Sequence, residues 1–177
     1  MPASTNLEEY EKLSRAQLIE LLKTYGRFAL TLDGLWFLGV ERAQGIEEAI
    51  KMDEEVWRQF GKSEGKVLKK FLSLNTVSDL EDICRVYLLT PVFGNLGARA
   101  EIRRDKCYLT VTDCHPQKAR IRKSLGEFPC KKVGIAYFES LLSELNPKIK
   151  FDCVVCPPDE HPENLWCEWE VSFDPIG

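Results

Sequence analysis

From Ala16 onward, leucines and aromatics return every three or four residues: Leu18, Leu21, Leu22, Tyr25, Phe28, Ala29, Leu32, Leu35 and Trp36. That period predicts a long helix. After Phe28 the apolar positions fall on nearly every side, as expected for a central helix packed all round. Thr5-x-x-Glu8 and Ser14-x-x-Gln17 are capping-box patterns, so a short helix is expected ahead of the long one. Gly45 interrupts the pattern. A second helix is expected from about Ile46 to Leu72, with Ile50, Val56, Trp57, Phe60, Val67, Leu68 and Phe71 as its core side. Ser78-x-x-Glu81 predicts the cap of a third, Asp79 to Leu89, before Pro91, Gly94 and Gly97 close the helical half.

The period then changes. Ala98–Arg104 and Cys107–Asp113 carry β-branched and aromatic residues about an Arg104-Asp105-Lys106 turn, and predict a hairpin. Pro116 opens a short basic helix that Gly126 closes, and Cys130 to Leu145 forms the next, ended by Asn146-Pro147. Lys148–Val155 and Leu165–Phe173 alternate, with Ile149, Phe151, Cys153 and Val155 on one face and Cys167, Trp169, Val171 and Phe173 on another. The expected fold is α+β in one domain, 1–177: a helical part (1–95) on a four-stranded antiparallel sheet (96–177) built as hairpin, helices, hairpin.

Strand direction gives this pattern chemical content. Threaded as an antiparallel sheet, the second half delivers Cys114, Cys130, Cys156 and Cys167 to one end, with His115 and His161 beside them. Cys107 falls at the opposite end, and Cys84 sits apart on a helix. Three readings stay open. Zinc would take Cys114, Cys130, Cys156 and Cys167, with His161 as substitute, although Cys153-x-x-Cys156 is the one close pair and alternation points its members to opposite faces. A reactive thiol would be Cys130 at a helix N-terminus beside Lys131 and Lys132, with His161 or His115 as base and Asp159 or Asp113 orienting it; no Gln, Asn or Gly-rich element stands out as an oxyanion donor. Inert, buried thiols are the third.

Composition narrows the field. The chain is 44% hydrophobic and 29% charged, and its start shows neither basic nor apolar leader character. The longest apolar stretch, Phe28 to Val40, is too short and interrupted to cross a bilayer. Seven cysteines without an export signal favour a reducing cytoplasm over a disulfide framework. Residues 99–132 hold ten Lys/Arg against four Asp/Glu, while residues 133–177 hold two against nine. The basic segment could draw in an anion through Arg120 and Lys131. The net charge of −4 argues against general nucleic-acid binding.

Asp33 is the polar exception inside the apolar run. It is expected to pair with Arg42 or another cation, or to face a ligand in a pocket between helices and sheet, lined by tryptophans such as Trp36, Trp57, Trp166 and Trp169.

Three segments carry a resemblance: Asp33-Gly-Leu-Trp-Phe, Gly126-Glu-Phe-Pro-Cys130, and the run from Cys156-Pro-Pro-Asp to Trp166-Cys-Glu-Trp-Glu170. Together they resemble an uncharacterised prokaryotic family of small cytosolic proteins. Cys156, Cys167 and Trp169 are also similar to the close of 4-vinyl reductase domains, which implies a helix-covered ligand-binding fold. The glycine that those domains carry between the two cysteines is absent. A helical start with a cysteine-rich end is likewise similar to L-2-amino-thiazoline-4-carboxylic acid hydrolase-like proteins, which implies an enzyme. The leading expectation is a cytosolic small-molecule or sensor domain, with or without zinc.

Overall fold

The computed structural model describes residues 5–173. Residues 1–4, on which part of the leaderless reading rests, lie outside that range. Four helices come first: α1 (Asn6–Glu11), α2 (Arg15–Gln44), α3 (Ile46–Phe71) and α4 (Leu80–Leu89). The strands β1 (Ala98–Arg103) and β2 (Lys106–Val111), the helices α5 (His115–Arg122) and α6 (Lys131–Leu145), and the strands β3 (Ile149–Val155) and β4 (Cys167–Phe173) follow.

Both predicted capping boxes form. Glu8 N–H donates to Thr5 Oγ1 and Thr5 N–H to Glu8 Oε2, and Ser14 and Gln17 repeat the exchange. The third cap is Asp79, not Ser78: its carboxylate accepts from Asp82 N–H at 2.8 Å.

The sheet is antiparallel, in the order β1-β2-β4-β3. α4 and α6 cover one face; the other carries Lys106, Tyr108 and Glu170, where Tyr108 Oη donates to Glu170 at 2.8 Å. Between helices and sheet lies a core that includes Tyr87, Leu109, Phe138, Leu141 and Trp169. Phe138 and Trp169 stack with ring centroids 4.7 Å apart.

The α3–α6 contact reverses an expectation. Val56, Phe60, Val67 and Phe71 are exposed, and α3 instead buries Ala49, Asp53, Gly61, Glu64 and Gly65. The reason is close approach: a Cβ on Gly61 would come within 2.7 Å of the Tyr137 carbonyl oxygen, so the face turned to α6 must be small. Glu64 on that face accepts from Tyr137 Oη at 2.5 Å.

α2 departs further. It is not packed all round: of its 30 residues only Gly26 and Leu30 are fully buried. The positions Leu18, Leu21, Tyr25, Phe28, Leu32, Leu35 and Gly39 alternate three- and four-residue steps along one line, and most of that line faces outward. Among the described residues no helix is long and apolar enough to cross a membrane.

Candidate functional site

Two elements bring the thiols together, and a bulge brings one more than expected. Val111 pairs with Cys167 across β2 and β4, so the end of β2, and Cys114 just beyond it, meet the start of β4. Cys130 is the N-cap residue of α6. On β3 the register slips: Cys153 lies opposite Trp169, but Val155 lies opposite Glu168. Two residues therefore span one step of β4, and the alternation restarts with Cys156 inward. Val155 leaves the inner face it was expected to share with Ile149, Phe151 and Cys153. Cys153 and Cys156, expected on opposite faces, become neighbours instead.

The Cys156 thiol consequently exchanges hydrogen bonds with Cys130, Cys153 and Cys167. Its sulfur is 3.6 Å from Cys130 Sγ. Its hydrogen bonding with Cys130, then with Cys153 and Cys167, together with burial, pushes its own ionisation far up. Cys130 moves the other way: the Cys156 hydrogen bond holds its thiol below the usual range against the effect of burial, and the Gln117 amide adds to it. Cys153 is lowered as well, by Cys156 first and then by the nearby Lys131 charge. Burial pushes Cys114 up.

Gln117 is a residue the sequence reading missed. Nearly fully buried, it donates to Phe128 O at 2.7 Å, accepts from Phe128 N–H at 2.7 Å, and offers Nε2 to Cys130 Sγ at 3.5 Å. A side-chain amide donor therefore does stand beside Cys130. Its position three residues after Cys114, on a helix opened by His115-Pro116, was the available signal.

The expected base and orienter are engaged elsewhere. His161 Nδ1 lies 3.0 Å from its neighbour's carbonyl, Pro162 O, and Nε2 lies 3.5 Å from Glu127. Asp159 accepts from Lys131 at 2.7 and 3.0 Å and from Cys156 N–H at 3.2 Å, which pins the loop after β3 to the start of α6. The two cations expected to draw in an anion are likewise matched. Lys131 holds Asp159, and Arg120 forms a two-pronged bond with Glu41, at 2.7 and 3.0 Å, between the rings of Phe37 and Phe128. Arg120 is 7% exposed, and its Nε has no hydrogen-bond partner.

Beside the thiols lies a branched cavity. An inner chamber of about 130 Å³ reaches Cys114, Cys130, Cys156, Cys167, Gln117 and Trp169. A side chamber of about 190 Å³ runs between α2 and α5 toward His115 and Arg120. An outer groove of about 570 Å³, lined by Trp36, Met52, Val56 and Phe60 among others, opens between α2 and α3. Leu30, Asp33 and Asp53 line all three. The predicted pocket and the predicted thiol end thus share a wall that holds two carboxyls.

Asp33 does not pair with Arg42; its hydrogen bond comes from Trp57. Burial raises Asp33 to about 6, with the Trp57 bond opposing. Asp53, unremarked in the sequence reading because it lies among other acids of an amphipathic helix, shares the Trp57 donor. Burial and then the Asp33 charge raise it to about 7. No Lys or Arg among the described residues forms a salt bridge to either acid. Trp36 is mostly exposed at the rim of the outer groove, while Trp57 and Trp169 line the interior.

Zinc requires ligands around a common centre. Among the described residues no three His, Cys, Asp or Glu side chains are grouped to hold a metal ion; the thiols are arranged as hydrogen-bond partners. Cys107, expected at the opposite end of the sheet, and Cys84, expected apart from the cluster on a helix, meet at that end with sulfurs 2.6 Å from each other.

Fold and cavity define a helix-covered antiparallel α+β protein with an internal space walled by thiols and carboxyls. The chain belongs to a family of unknown function, DUF6125, which matches residues 11–173. No curated protein matches it.

Proposed function

We propose that this chain is a small-molecule-binding domain. Its ligand enters between α2 and α3, lays an apolar body in the outer groove, and turns a basic nitrogen toward Asp33 and Asp53. The observation that carries this reading is the uncompensated carboxyl pair where the three chambers meet. Two acids sharing one indole donor in a mostly apolar site lack a counter-charge, and a protonated amine or amidine supplies it. The thiols form the floor of the inner chamber. The likeness of Cys156, Cys167 and Trp169 to the end of 4-vinyl reductase domains supports a binding role.

The test is a thermal-shift and calorimetric titration with benzamidine and tryptamine as cationic probes, against indole as a neutral control. Binding of either cation, lost in Asp53→Asn and weak for indole, is the expected result. Equal binding of the neutral and charged probes, or none, sinks the carboxyl reading.

A second reading, thiol chemistry at Cys130, is supported by its lowered ionisation and its Gln117 donor. With His161 engaged, the carboxyls lining the same inner chamber are Asp33 and Asp53. A zinc-bound cluster of Cys130, Cys153, Cys156 and Cys167 requires these thiols to give up their mutual hydrogen bonds. Metal content after anaerobic purification separates the readings: about one zinc per chain, with about four thiols masked until chelation, replaces both.

A further inference from the structure

The exposed line along α2 has the geometry of a coiled-coil seam. Three- and four-residue steps from Leu18 to Gly39 give three successive heptads on a helix of 30 residues. The body of the protein holds the opposite side, through Gly26 and Leu30. Side chains on or beside the seam stand in solvent: Phe28 is 61% exposed, Leu35 62% and Trp36 72%.

Area, glycines and charge all bear on what covers it. At about 200 Å² for a large apolar side chain, the exposed seam and its flank present on the order of 800 Å². That is one partner's share of a standard interface and more than the largest patch of a typical monomer. Gly34 and Gly39 cost α2 helix stability, yet a Cβ on either would meet nothing within 4 Å. Gly26, Gly61 and Gly134, in contrast, are each required by a packed neighbour. The seam's flanking positions are Leu22, Ala29, Trp36, Thr24, Thr31 and Leu38, all uncharged. A foreign helix chosen by flanking charges finds nothing to read, an identical helix meets no repulsion, and the basic fringe of a membrane-surface helix is missing.

We propose that a second copy of this chain packs antiparallel along α2, with Phe28 at the two-fold axis. About that residue Leu21 and Leu35 are equidistant and face each other. Tyr25 with Leu32 and Leu18 with Gly39 fall within one residue of register, about 1.5 Å along the axis, so Leu18 fills the space over Gly39. A parallel pair would set Gly39 against itself and leave a hole. The contact is isologous and closed, so it stops at a dimer. Leu32 and Trp36 belong both to this surface and to the wall of the outer groove, so the second copy roofs the groove.

Light scattering on the full chain at micromolar concentration is expected to give twice the chain mass of 20.3 kDa. A Leu32→Glu/Leu35→Glu double variant should run at the single mass with unchanged far-ultraviolet circular dichroism. Should that variant not fold, cysteine cross-linking decides. Phe28→Cys should form an inter-chain disulfide under glutathione disulfide, while Leu18→Cys and the wild type should not. A wild-type chain of single mass overturns the proposal, as does a single-mass chain that floats with phosphatidylserine vesicles. Cross-linking at Leu18→Cys overturns the antiparallel arrangement.

Discussion

The two ends of the sheet hold the same side chain in opposite circumstances. At one end Cys130, Cys153, Cys156 and Cys167 surround a shared proton network beside a cavity. At the other, Cys84 and Cys107 meet where the core is closed, with Cys107 wholly buried. Burial pushes both thiols of the closed pair up, Cys107 further through its contact with Cys84. At the open end Cys130 is held down because its neighbour donates to it. Burial alone therefore does not fix a thiol's chemistry; what decides is the balance between burial and hydrogen bonds to the thiolate, which burial wins at Cys84 and the hydrogen bond wins at Cys130.

The largest expected effect comes from the acids at the open end. Asp53 in the folded chain is raised to about 7, against an ordinary value near 4, so the folded state keeps a proton that the unfolded chain has lost. The stability Asp53 confers is thus complete below about pH 4 and disappears as the pH climbs through about 7. Asp53→Asn escapes this loss. Denaturant melts should show the variant gaining on the wild type between pH 4.5 and pH 8 by on the order of 3 kcal/mol. A difference that stays flat across that range would refute the raised carboxyl.

Thiol kinetics give a smaller contrast. Iodoacetamide labelling followed by peptide mapping should find Cys130 modified roughly tenfold faster than Cys107 near neutral pH. Cys130→Ser should remove the fast phase and leave the rest. If Cys84 or Cys107 labels first, the contrast between the two ends is wrong. The smallest effect lies in packing. Cys107→Ala should cost about 1–2 kcal/mol in chemical denaturation, whereas Cys130→Ala, at the wall of an existing chamber, should cost under about 1 kcal/mol.

Much of this architecture was legible in the sequence, for identifiable reasons. Helix periods, caps at Thr5 and Ser14, and strand alternation gave the elements, and strand direction alone brought Cys130, Cys156 and Cys167 to one end. What stayed hidden depended on distance or on local exceptions. Arg120 and Glu41 are 79 positions apart, and nothing nearby marks them as partners. Hydrophobicity marks the packed face of α3 only in part: Trp57 and Leu68 reach the core, but close helix approach selects Gly61 and Gly65 over Phe60 and Val67. Asp53 looks like any acid on an amphipathic helix until Asp33 is set beside it. The apolar pattern of α2 predicts a central helix, but it announces only that the helix needs neighbours, not where they are.

The slip between Cys153 and Val155 bears on how such a site is gained and lost. If the same residues paired without the slip, Val155 would turn inward and Cys156 outward, with every cysteine still in the chain. Inserting one residue between Val155 and Cys156 should therefore take Cys156 out of the thiol cluster without replacing any cysteine. Along this segment the chemistry is encoded in spacing, and the change it tolerates least is in length.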